Sequence, residues 1–174
     1  GDGWLVLGRD EAQNPTTFDT YLYDESAGTW EVGPTLPTPS GVTETSSFGK
    51  ELAAYGPYLA TFDDASERAF VFTLASDRAS WQTREITLDT DGGNLTPVGV
   101  AIHDDTVAIA MVGSNMSSGE VHLYNHISYQ DGEAPSVPSA SPLFVGMDGS
   151  IALTENTLFV GEQEVSSLMV PAGQ

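Results

Sequence analysis

Carboxylates dominate the chemistry this sequence can offer. Asp10, Glu11, Asp63, Asp64, Glu67, Asp89, Asp91, Glu162 and Glu164 fall in polar stretches between apolar segments. Clustered carboxylates beside low-dielectric walls can capture a cation or a basic partner. Ordinary solvated loop charge is the competing account of the same residues. In Asp89-Thr-Asp91-Gly-Gly-Asn94, the residues Asp89, Asp91 and Asn94 offer oxygen ligands around a glycine turn. Calcium is the ion such ligands would take, although the loop lacks the spacing and closing Glu of an EF-hand.

Other constellations are thinner. His122 and His126 stand four apart on what reads as a strand and its exit, and His103 lies in a distant turn, so they do not make the face of zinc ligands that a helix would. Gly-x-Ser-x-Gly elbows, phosphate-binding glycine loops and His-Glu-x-x-His helices are missing from the sequence. Paired carboxylates for glycoside chemistry fit so acidic a chain, but nothing singles out two of them.

The charge balance narrows the partners. Asp and Glu number 25 against 5 Lys and Arg, for a formal net charge of -20. A field of that sign repels phosphate backbones and anionic lipid, which argues against nucleic acid and acidic membranes and leaves cations, basic proteins and neutral glycans. With no Cys, neither a disulfide framework nor a thiolate site is available. Asn94-Leu-Thr96 and Asn115-Met-Ser117 fit the N-glycosylation pattern and lean toward an extracellular or secreted chain. The longest wholly apolar run, Val107 to Val112, is too short to cross a bilayer as a helix.

The elements that must position these residues recur. Trp4-Leu-Val-Leu7, Tyr58-Leu-Ala-Thr-Phe62, Thr106-Val-Ala-Ile-Ala110 and Thr157-Leu-Phe-Val160 are short apolar strands. Their landmarks Leu5, Leu59, Val107 and Leu158 are 54, 48 and 51 positions apart. A second strand follows each, marked by Leu22, Val71, Leu123 and Met169 at separations of 49, 52 and 46. Upstream of the last three apolar strands lies a further strand and a two-residue turn at Gly56-Pro57, Asp104-Asp105 and Glu155-Asn156, which predicts β-hairpins. Downstream, Trp30 and Trp81, 51 positions apart, mark an outer strand in the first two copies and should pack between neighbouring sheets. The unit is four antiparallel strands in about fifty residues, and the approximate units are 1–41, 42–93, 94–142 and 143–174, the first and last incomplete. No segment keeps a 3.6-residue period with caps, so helices should be few. The expected class is all-β, as one repeat domain over residues 1–174.

Four-stranded units at this spacing are those of β-propeller blades. Tyr21-Leu-Tyr-Asp-Glu-Ser-Ala-Gly-Thr-Trp30 with its tail to Pro39 resembles a kelch repeat without the double glycine. Phe48-Gly49, Leu52-Ala-Ala54, Tyr58 to Phe62 and Arg68 to Phe72 resemble an FG-GAP, integrin-type repeat. The calcium loops of that family lie between the first two strands, and here those loops are too short to carry the sites over. The resemblance implies a partial or open propeller, with a β-sandwich as the alternative fold.

An incomplete first and last unit suggests a piece of a longer chain, or chains that pair through open edges. The function expected is a non-catalytic protein-interaction or structural module, with a glycan-binding or glycan-processing propeller fragment as the alternative. Its partners would be another protein or the remainder of the same chain, and no cofactor is expected beyond calcium.

Overall fold

The computed structural model describes residues 3–8, 18–42, 47–113, 119–130, 135, 150–154 and 157–161. The expected sites at Asp10, Glu11, Glu162 and Glu164 and the expected turn at Glu155-Asn156 lie outside them.

Among the described residues there are strands and turns and no helix. In chain order the strands are β1 (Trp4–Gly8), β2 (Phe18–Asp24), β3 (Thr29–Val32), β4 (Ala53–Tyr55), β5 (Tyr58–Asp63), β6 (Arg68–Leu74), β7 (Trp81–Thr87), β8 (Leu95–His103), β9 (Thr106–Gly113), β10 (Gly119–Asn125), β11 (Ile151–Leu153) and β12 (Leu158–Val160). They form four antiparallel meanders, β1-β2-β3, β4-β5-β6-β7, β8-β9-β10 and β11-β12. Each sheet draws its strands from one of the recurring segments.

The landmarks occupy matching places. Leu59 lies opposite Phe72 and Val107 opposite Tyr124, while Leu158 pairs with Leu153 in the last hairpin. The first sheet keeps this register for Leu5, because the Tyr23 amide bonds to the Gly3 carbonyl just as Leu74 bonds to Pro57, whereas Leu22 answers to Thr73, two residues beyond Val71. A slip of two residues keeps every side chain on its own face, which is why the alternating pattern tolerates it.

The sheets lie face to face in chain order, joined by three apolar clusters. Phe18, Phe48, Leu59, Phe70, Phe72 and Trp81 join the first sheet to the second. Phe62, Val71, Ile86, Ile102, Ile109 and Met111 join the second to the third. Ala108, Ala110, Val121, Leu123, Leu158 and Val160 join the third to the fourth. No cluster of described residues joins the fourth sheet to the first.

The hairpins turn where expected. Gly56 and Asp104 open their turns at positive φ, 54° and 50°, the left-handed geometry that matches the twist of the paired strands. Phe48-Gly49 also has a geometric reason. Phe48 inserts edge-on between Phe18 at 5.6 Å and Phe70 at 5.4 Å, and Gly49 sits at φ 78°, where a Cβ would collide with the Phe18 ring. Only glycine meets both demands.

Candidate functional site

Two surfaces hold the chemistry. One is the end of the sheet stack where the β5–β6 turn meets the connection from β7 to β8. The Leu88 amide donates to the Glu67 carbonyl at 2.9 Å, stitching the two together. Asp64 fastens the turn to the chain before β4: its Oδ1 accepts from the Ser47 amide at 3.3 Å and its amide donates to Ser47 Oγ at 2.7 Å. Tyr124 supports the connection from below, its hydroxyl oxygen accepting from the Asp89 amide at 3.1 Å. Burial of the ring pushes the Tyr124 phenol up to about 12.

Asp63, Asp64, Glu67, Asp89, Asp91 and Asn94 are thus brought to one end, but not to one point. Asp64, Glu67, Asp89, Asp91 and Asn94 are exposed. The Asp89 carboxylate accepts from the Asp91 amide at 3.2 Å, and the Asn94 side-chain amide donates to the Asp91 carbonyl at 2.8 Å. These bonds build a turn in which Asp91, Gly92 and Gly93 all take positive φ. Among the described residues no three His, Asp or Glu side chains converge as a metal group would.

Asp63 differs from the surface acid expected of it. It ends β5 with a wholly buried side chain, because strand alternation turns it toward the first sheet. Its Oδ2 accepts from the Ser66 amide at 3.2 Å, whereas its Oδ1 and the Ser66 hydroxyl have no partner. Two free oxygens fall well short of the roughly six to eight that calcium takes.

The histidines stand apart. His103 stacks on Tyr55 at 4.1 Å between ring centres. The His122 Nε2 lies 2.8 Å from the Glu120 carboxylate. His126, at the opposite end of the third sheet, donates from Nε2 to the Asp104 carbonyl at 2.9 Å. Burial holds its imidazole below the usual histidine value.

The second surface is the outer face of the first sheet. Tyr21 lies opposite Val32 and Tyr23 opposite Trp30, so all four project from one side, with Tyr23 and Trp30 rings 5.2 Å apart. Trp4 and Leu22 project from the other side, where Trp4 packs edge-on against Trp81 at 5.4 Å. Trp30 is 51% exposed and Val32 84%.

The repeat turns these numbers into an observation. Phe72, Leu74 and Trp81 of the second sheet answer to Tyr21, Tyr23 and Trp30, and project from the corresponding face of their sheet. They are 0%, 7% and 7% exposed, because the first sheet covers them. Trp81 packs between neighbouring sheets as expected and donates its Nε1–H to the Pro34 carbonyl at 3.1 Å. Trp30 faces the same way but meets solvent, which corrects the expectation for it.

Sequence reasoning missed the arginines. Arg78 donates to the Gly3 carbonyl at 3.0 Å and the Tyr23 carbonyl at 3.4 Å, tying the second sheet to the first. Arg84 donates to the carbonyls of Ile127, at 2.9 Å, and Tyr129, tying the second sheet to the third. Arg68 reaches both Glu85 and the Ser40 carbonyl, each at 2.8 Å. A chain with 5 Lys and Arg spends three of its cations as staples between chain segments. Their rarity was the one signal that could have drawn attention to them.

The architecture places the chain in the all-β class, as a row of small antiparallel sheets. Comparison with protein-family models, with curated proteins and with solved structures finds no match.

Proposed function

We propose that this chain is a non-catalytic protein-interaction or structural module, built of β-propeller-type repeats, whose terminal sheet faces are contact surfaces. The supporting observation is the contrast between half-buried Tyr21 and Tyr23 and exposed Trp30 on one sheet and their buried counterparts Phe72, Leu74 and Trp81 on the next. Large exposed apolar patches on soluble proteins mark interaction sites, and aromatic side chains are the ones that anchor them. The kelch and integrin-type resemblance agrees with a row of blades and rests on the motifs quoted above. The acidic end is a second place for a basic partner, held open by its turn bonds.

The test is hydrogen exchange of residues 18–32 in the protein isolated within its native assembly, compared with the free chain. Added protection across β2 and β3 is expected. Equal exchange in both, or turnover above the no-protein rate on a panel of glycoside, ester and peptide substrates, overturns the reading.

A glycan-binding reading has one observation of its own, the tilted Tyr23–Trp30 pair, in which Trp30 is exposed and Tyr23 half-buried. Such a pair can stack on a sugar ring, and a glycan array without signal above background removes this reading. An extracellular location agrees with Asn94, exposed on its turn within Asn94-Leu-Thr96. Release of mass from the native protein by an N-glycosidase is the check.

A further inference from the structure

We propose that residues 125–129 form an acid-released strap across the junction of the second and third sheets, with His126 as the pin that holds it.

On leaving β10 the chain turns back at once over His126 to Ser128, and two sets of bonds tie this turn down. One set fastens it to the β8–β9 turn of its own sheet. The Asn125 side-chain amide donates to Asp105 Oδ2 at 2.7 Å, and the His126 amide donates to the Asp105 carbonyl at 2.8 Å. Asn125 Oδ1 accepts from the amides of Ile127 and Ser128 at 3.1 and 2.9 Å, which shapes the turn itself. The other set crosses to the second sheet. Arg84 of β7 donates to the carbonyls of Ile127 and Tyr129. The Tyr129 hydroxyl accepts from the Thr87 amide at 3.2 Å and donates to the Thr87 carbonyl at 3.1 Å.

His126 sits between the two sets. Its side chain is 1% exposed and stands edge-on to Tyr58 of β5, 4.7 Å between ring centres, while Nε2 reaches the Asp104 carbonyl at 2.9 Å. A carbonyl only accepts, so Nε2 carries a proton, and a second proton on the ring puts a charge where water is excluded. Burial is the largest influence and holds the imidazole below its ordinary value, as does Arg84. The Asp104 carbonyl and the carboxylates of Asp105 and Asp104 act in the opposite sense. Also along this junction stand His122, with its Nε2 on Glu120, the phenols of Tyr124 and Tyr129, and His103, stacked on Tyr55 of β4.

A released strap carries an ordinary imidazole, which takes up its proton at about pH 6.5. Acid therefore favours release: between that value and the lower one of the packed ring, the open fraction rises by up to about tenfold per pH unit. Release withdraws Tyr129 from the cluster it shares with Ile86, Leu88 and Tyr124 and strips Thr87 of both its bonds to the phenol. Thr87 leads into the connection that bears Asp89 and Asp91, so the pin at one end of the sheets governs a support of the acidic turn at the other.

Hydrogen exchange of the whole chain by NMR, expressed as protection factors at about pH 7 and about pH 5 in low concentrations of urea, reads the strap directly. At the lower pH the amides of Thr87, His126 and Tyr129 are expected to lose at least tenfold in protection and to exchange independently of urea, as a local opening does. Amides of β5, β6 and β9 should keep the steep urea dependence of global unfolding. His126→Gln retains a donor for the Asp104 carbonyl without a titrating ring, and its strap protection should be the same at both pH values. The proposal is overturned if the strap amides of the wild type share the protection and urea dependence of β9 at the lower pH, a result that stands whether or not the variant folds. It is equally overturned if His122→Gln, rather than His126→Gln, abolishes the pH dependence.

Discussion

Truncating Phe72 and Tyr23 to alanine, one at a time, asks whether sheet-on-sheet packing holds the molecule together. The two residues project from the same face of neighbouring sheets but have different surroundings. Phe72 is wholly buried, with the Phe48 ring 6.3 Å away. An aromatic side chain buries about 150–250 Å², which at about 25 cal/mol/Å² corresponds to roughly 4–6 kcal/mol. Alanine keeps part of that, and core Phe→Ala substitutions cost about 3–5 kcal/mol. Tyr23 is half-buried and leans on an exposed Trp30, so its loss should cost about 1 kcal/mol. Urea unfolding followed by tryptophan fluorescence, at protein concentrations low enough to exclude contact between copies, separates the two. With a slope of about 2 kcal/mol per molar, Phe72→Ala should lower the midpoint by roughly 2 M and Tyr23→Ala by about 0.5 M. Equal shifts, or a Phe72→Ala cost below about 1.5 kcal/mol, would refute the claim that the first sheet covers the second.

Gly49→Ala should destabilise by about 2 kcal/mol or more, since it combines a positive φ with a collision against Phe18; the urea midpoint measures it. Arg78→Gln should speed amide exchange in β1 and β2 ahead of the other strands, because the Gly3 and Tyr23 carbonyls lose their donor; uniform acceleration would count against a local staple. The unfolded chain protonates His126 before the native state does, so stability is whole above about pH 6.5 and falls as pH drops below it. The difference in urea midpoint between wild type and His126→Phe should therefore shrink from pH 7 to pH 5. Tyr124 runs the other way: the native state keeps its phenol proton longer, so its contribution is whole below about pH 10 and is lost as pH rises through about 12. Absorbance titration of wild type against Tyr124→Phe should show one tyrosine ionising late.

Much of the architecture was legible in the order of residues. Period-two alternation and turn residues define strands and hairpins, and the spacing of Leu59, Val107 and Leu158 carried over to matching places in three sheets. Gly49 was visible as part of Phe48-Gly49, though not the Phe18 ring that requires it. The two-residue offset of Leu22 from the place of Val71 was invisible, since alternation has the same reading at every even shift.

The acidic turns show the same division. Composition told that Asp63, Asp64, Glu67, Asp89 and Asp91 would crowd into loops. Only the folded chain decided that Asp63 is buried while the other four face water, because that outcome depends on which sheet lies across from β5. The identical facing of Trp30 and Trp81 follows from local alternation, a property of neighbours along the chain. Their opposite exposure does not, because burial is conferred by a second surface, and that surface is placed by contacts far apart in sequence.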